Sequence, residues 1–120
     1  LPSGRELFYA RPRIEENRFG GDSITYEGIG TGKRWERIET YGAKLVENIV
    51  QVISRDILCN ALMTFQYSDI VMHVHDEIVI ETNPQMSVDA VCEQMSRTPK
   101  WAKGLKLDAD GFTCPFYQKD

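Results

Sequence analysis

The chain has 120 residues, 42% apolar and 27% charged, a make-up that excludes a disordered or collagen-like protein. Its 14 Lys and Arg against 18 Asp and Glu leave a net charge of −4, which argues against a free-standing nucleic-acid binder, since such domains carry a basic footprint. Three scattered cysteines without a Cys-x-x-Cys pair point to reduced thiols in a cytosolic protein, and neither a secretion signal nor an apolar run of ~18 residues is present.

One core is expected at this length. A chain that opens on Leu1 is read as a piece of something longer. After a Pro-Ser-Gly turn cluster, residues 5–14 carry aromatics without a helical period and predict a strand. Residues 15–22 read as a loop. Residues 23–27 alternate Ile24 and Tyr26 with polar neighbours, and residues 33–39 carry Trp35, so the two predict strands of a hairpin joined across Gly28, Gly30 and Gly32.

From Tyr41 to Met63 the period changes. Leu45, Val46, Ile49, Val50, Ile53, Ile57, Leu58, Ala61 and Leu62 recur at helical spacing, predicting a helix of ~34 Å. Lys44, Asn48, Gln51 and Arg55 form one polar stripe along it, which on periodicity alone is a solvated face. Residues 70–81 are β-branched on both sides of His75-Asp76-Glu77. A single strand over this span would exceed the typical ~5–6 residues, so two strands folding back at His75-Asp76 fit better. Ser87 is placed to cap a short helix over 87–97, with Val88, Val91, Cys92 and Met95 at i, i+3, i+4, i+7, and Pro99 blocks its continuation. Residues 105–117, bent at Asp110-Gly111, predict a closing strand pair. The fold class is α+β, an antiparallel β-sheet with packed helices.

The sharpest local feature is His75-Asp76-Glu77, two adjacent carboxylates between apolar strands. Charge there must be solvated, paired or coordinating a cation, so a solvated turn and a Mg²⁺ site are both open readings. His73 and His75 share a strand face, but two ligands without a nearby Cys or third His make a weak zinc site, and His73 reads as a packed core residue. The run Gly28–Arg34 fails as a phosphate loop, because Glu27 stands where the first glycine belongs and Arg34 replaces the hydroxyl residue. No Ser-His-Asp or Cys-His arrangement stands out.

Val74-His-Asp-Glu-Ile-Val-Ile-Glu81 resembles motif C of the phage-type family-A DNA polymerases, and Tyr41-Gly-Ala-Lys-Leu-Val-Glu-Asn-Ile-Val-Gln51 resembles the helix that precedes it there. Leu1-Pro-Ser-Gly-Arg5 with Tyr9, Trp35-Glu36, Pro99 with Trp101-Ala102, Gly104-Leu105, Ala109-Asp-Gly111 and Tyr117-Gln-Lys-Asp120 suit the same branch. The resemblance implies a partial polymerase palm subdomain with motif C as a hairpin. It makes Asp76 a ligand of the catalytic metals and Glu77 an accessory acid. Gln51 and His75 would face the primer-terminal duplex from the minor groove, with Lys44 and Asn48 on the same stripe. The implied cofactor is Mg²⁺, two ions ~3.5–4 Å apart in the complete site. The implied partners are primer–template DNA, deoxynucleoside triphosphates and the rest of the polymerase chain (fingers, thumb, remaining palm), with no membrane, in the cytoplasm of a bacterial cell in a phage or prophage context.

One aspartate cannot hold two ions. The family's other metal motif, Asp-x-Ser-x-x-Glu, and its nucleotide-binding helix do not occur in these residues, so the chain alone is expected to bind Mg²⁺ weakly and to be inactive. The alternative is a non-catalytic palm remnant acting as a DNA-contacting or structural module.

Overall fold

The computed structural model describes residues 1–119; Asp120, the last residue of the closing resemblance segment, lies outside the described residues. The contacts gather into two units, one of Leu1 and Ser3–Val52 and one of Pro2 with Ile53 onward, in place of the one core expected from length.

In the first unit, β1 (Ala10–Glu16), β2 (Asp22–Ile29) and β3 (Trp35–Thr40) form an antiparallel meander in the order β1-β2-β3. The loop expected over 15–22 shortens to five residues. Asn17 drives this, because its Oδ1 accepts from both Phe19 N and Gly21 N, and its own N–H donates to Gly21 O at 2.7 Å. The β2–β3 connection closes through Gly30 N to Arg34 O and Lys33 N to Gly30 O. A Cβ at Gly30 would meet the exposed Glu36 side chain, which would have to swing aside to admit it.

The first strand starts later than the 5–14 expected from sequence. Leu1 and Gly4 bond within a local turn, and Leu7, Phe8 and Tyr9 line a shallow apolar groove with Leu45 and Ile49 instead of pairing with β2. Pro12 is tolerated because β1 is an edge strand and the ladder slips one residue between Ala10 and Arg13. Arg11, inside that slip, takes φ 46°. On one sheet face Glu27 gathers Arg37, Arg11 and the Trp35 indole, with 3.1–3.2 Å contacts that tie all three strands together. The Trp35 hydrogen bond first, then the two guanidinium groups, hold the Glu27 carboxyl below its ordinary range.

Helix α1 (Gly42–Thr64) has the predicted period, and the boundary between the units falls within it. In the second unit Leu58, Ala61 and Phe65 are buried and form the apolar centre. Next come β4 (Asp69–Val74) and β5 (Glu77–Glu81), an antiparallel pair with the turn at His75-Asp76 as predicted. The register slips between Ile70 and Met72, which makes Val71 a one-residue bulge. Cross-strand partners share a face, so Ile70, His73, Ile78 and Ile80 lie on one side, and Met72, Val74, Glu77 and Val79 on the other.

Helix α2 (Val88–Met95) begins at the predicted cap, where Ser87 Oγ accepts from Ala90 N. Val88, Val91, Cys92 and Met95 are half-buried while Asp89, Ala90 and Glu93 are exposed, as the i, i+3, i+4, i+7 pattern requires. Pro99 then opens a short 3₁₀ turn, η1 (Lys100–Ala102).

The closing strand pair expected over 105–117 does not form; these residues contain no strand. Local side chains take the backbone groups a ladder would have used. Asp108 Oδ1 accepts from Ala109 N, Asp110 Oδ1 from Gly111 N, and Thr98 Oγ1 donates to Leu105 O. The segment runs against α2, so closely that a Cβ at Gly111 would stand 3.0 Å from Cys92 Sγ and 3.1 Å from Val88 Cγ1. Among the described residues the architecture is thus two antiparallel sheets and two α-helices, an α+β fold.

Candidate active site

The second unit carries the acids. Val74 pairs with Glu77 across a two-residue loop, so His75 and Asp76 occupy the turn itself. His75 takes φ 51°, the left-handed region that two-residue hairpin loops demand and that glycine usually fills. A non-glycine residue held there costs free energy, and such strain clusters at functional sites. Both turn residues are exposed, and neither has a hydrogen-bond or ion-pair partner among the described residues.

Glu77 differs from its neighbour. It is half-buried, and its Oε2 accepts from the Tyr117 hydroxyl at 3.3 Å. Desolvation, and then the Glu77 carboxylate, hold the Tyr117 phenol above the ordinary tyrosine range, so Tyr117 stays a protonated donor at neutral pH. The two adjacent acids are therefore unequal, with Asp76 open and Glu77 tethered.

Two hard-oxygen carboxylates suit Mg²⁺, which is commonly held by one or two carboxylates together with substrate phosphates. Among the described residues no three His, Cys, Asp or Glu side chains gather into a metal site. The donor set thus fits a cation that takes its remaining ligands from elsewhere.

His73 is not the core residue its sequence position suggested. It is exposed, and its Nδ1 lies 3.3 Å from Arg55 Nη1 of α1. A guanidinium has donors and no acceptor, so in this contact Nδ1 takes the accepting role. Burial alternates along β4, with Ile70, Met72 and Val74 half-buried and Asp69, Val71 and His73 exposed, and His73 stands opposite Ile78, one pair from the turn.

The helical stripe residues of the first unit are engaged locally. Lys44 Nζ lies 2.9 Å from Glu47 Oε2, and Gln51 Nε2 donates to Glu47 Oε1 at 3.2 Å. Sequence reasoning missed Glu47, although it stands three residues after Lys44 and four before Gln51, the two spacings at which helical side chains meet. The hydrogen bond and charge of Glu47 hold the Lys44 ammonium above its ordinary range. Asn48 is half-buried and its Nδ2 donates to the Tyr9 hydroxyl at 3.3 Å, while the Tyr9 ring packs edge-on to Tyr26 with centroids 4.9 Å apart. Tyr117 and Tyr9 are the contributors that periodicity could not find, since both come from segments without regular structure.

The fold and this hairpin define an α+β chain with a carboxylate-bearing β-turn. Over its full length the chain is 48% identical, across 124 aligned positions, to a stretch of the DNA polymerase of Bacillus phage SP02, and it spans 19% of that protein's length. No protein-family model matches the chain. No solved structure matches it significantly. No helix among the described residues is long and apolar enough to cross a membrane.

Proposed function

We propose that this chain is the back part of the palm of a family-A DNA polymerase, which adds deoxynucleotides to a primer 3′ end on a DNA template. The observation that carries the reading is the turn itself: Asp76, exposed and unpartnered among the described residues, sits beside the tethered Glu77 at the tip of an otherwise apolar hairpin. Full-length similarity to a stretch of a phage DNA polymerase supports it.

In this reading Asp76 would hold catalytic Mg²⁺, with Glu77 as the accessory acid. When bound, such ions neutralise phosphoryl charge and activate the attacking hydroxyl. The second metal aspartate, the nucleotide-binding helix, the fingers and the thumb come from the rest of the polymerase, so the isolated chain is inactive. Gln51 and His75 contact the primer-terminal duplex in the minor groove, where the acceptors are much the same for every base pair and contact checks geometry rather than sequence. Lys44 and Asn48 lie on the same helical stripe as Gln51, with Lys44 also neutralising Glu47.

Asp76→Asn in the full-length polymerase tests the reading. Nearly all template-dependent extension should disappear while most DNA affinity remains, because the substitution removes metal-holding charge rather than duplex contacts. Wild-type turnover by that variant would show that Asp76 is not a ligand.

A further inference from the structure

Tyr117 comes from the stretch after η1, which makes no ladder of its own, yet its hydroxyl reaches the first residue of β5, 40 positions earlier in the chain. The stretch is not adrift. It is held against α2 where Gly111 meets Cys92 and Val88, and burial, followed by the negative charges of Asp110, Asp89 and Asp108, raises the Cys92 thiol pKa.

The contact has a chemical direction. A phenol that keeps its proton donates, a carboxylate accepts, and one oxygen of Glu77 is thereby fixed while the other stays available. Asp76, one residue away, has no such partner among the described residues. A glutamate with three rotatable bonds beside a metal-holding aspartate would otherwise sample many positions, and a tether removes that freedom before any ion arrives.

We propose that Tyr117 is a positioning residue for the acid pair, presetting the Glu77 carboxylate beside Asp76 for a divalent cation. The inference rests on the polymerase reading. It goes beyond it by assigning metal-site preorganisation to a tyrosine outside the hairpin.

The test compares wild type, Tyr117→Phe, Glu77→Gln and the double variant in the full-length polymerase. Mn²⁺ affinity is read by electron paramagnetic resonance of the free ion, and the Mg²⁺ concentration for half-maximal extension is measured in parallel. Tyr117→Phe should weaken Mn²⁺ binding and raise the Mg²⁺ midpoint by about two- to tenfold, the range for one lost hydrogen bond. The double variant should be no worse than Glu77→Gln alone, because Tyr117 acts only through that carboxylate. Unchanged metal affinity in Tyr117→Phe overturns the proposal, even if extension falls, since a purely structural latch would lower activity without moving the ion. Additive losses in the double variant overturn it as well. Asp76→Asn separates the two levels: if it retains extension, the polymerase reading fails whatever Tyr117 does. If it abolishes extension while Tyr117→Phe binds Mn²⁺ normally, only the positioning role fails.

Discussion

Replacing His75 with glycine should leave the fold as stable as before or slightly more so, while removing whatever the imidazole does. His75 sits at φ 51° in a two-residue loop, a region that costs an L-residue roughly 1–2 kcal/mol and costs glycine almost nothing. Against that gain, glycine loses more backbone freedom on folding, worth roughly 0.5–1 kcal/mol. The balance is about 0–1.5 kcal/mol in favour of His75→Gly. No hydrogen bond is lost to offset it, because His75 is exposed and has no partner among the described residues. His75→Ala keeps the strained backbone and should match wild type or fall just below it. In urea, with slopes of about 1–3 kcal/mol per molar, the glycine midpoint should lie up to roughly 1.5 M above that of alanine, with the slope unchanged. In the full-length polymerase both variants should lose the same share of matched-primer extension, because both lack the ring. A glycine variant that unfolds at lower urea than the alanine variant would refute the strain argument. Wild-type extension by both would remove His75 from the duplex contacts.

Gln51→Ala in the full enzyme should slow extension from a paired primer terminus by an amount of order 1–3 kcal/mol if the amide serves a buried duplex contact, and slow a mispaired terminus less. Equal rates for wild type and Gln51→Ala would leave the amide with its bond to Glu47 on a solvated face. Leu58 is only 4% exposed, so Leu58→Ala should cost about 2–5 kcal/mol by urea unfolding, and a loss below 1 kcal/mol would show that the second unit closes over the gap. The Tyr117 phenol, raised first by desolvation and then by Glu77, should ionise above the ordinary tyrosine value in the wild-type minus Tyr117→Phe absorbance difference, and lower in Glu77→Gln. By linkage its contribution to stability is fully present below the unfolded tyrosine pKa and is lost as pH rises through the raised one.

Periodicity carried the regular elements. The α1 stripe, the fold-back at His75-Asp76 and the Ser87 cap all follow from spacing and side-chain chemistry that act locally, so one sequence suffices to read them. The closing strand pair failed because Asp110-Gly111 satisfies two descriptions. It can turn a hairpin, or its carboxylate can take the next backbone N–H, and only packing against α2 decides for the second. His73 differs from expectation for another reason. A histidine among apolar β-branched residues looks buried, but β4 alternates, and His73 falls with Asp69 and Val71 on its exposed positions. At the candidate site the acids themselves were legible, whereas the Tyr117 tether was not, since a contact spanning 40 residues from an irregular segment has no period to reveal it.

The Val71 bulge gives β4 one residue more than its ladder needs. Ile70, Met72, His73 and Val74 meet Ile80, Val79, Ile78 and Glu77, which are consecutive on β5, so loss of Val71 would close an unbroken ladder in the same register and leave every side chain, and the His75-Asp76 tip, on its present face. What the extra residue adds is local bend and twist. Deletion of Val71 should therefore harm extension far less than replacement of Asp76, and Val71→Thr less still, because the spare position carries shape rather than a partner.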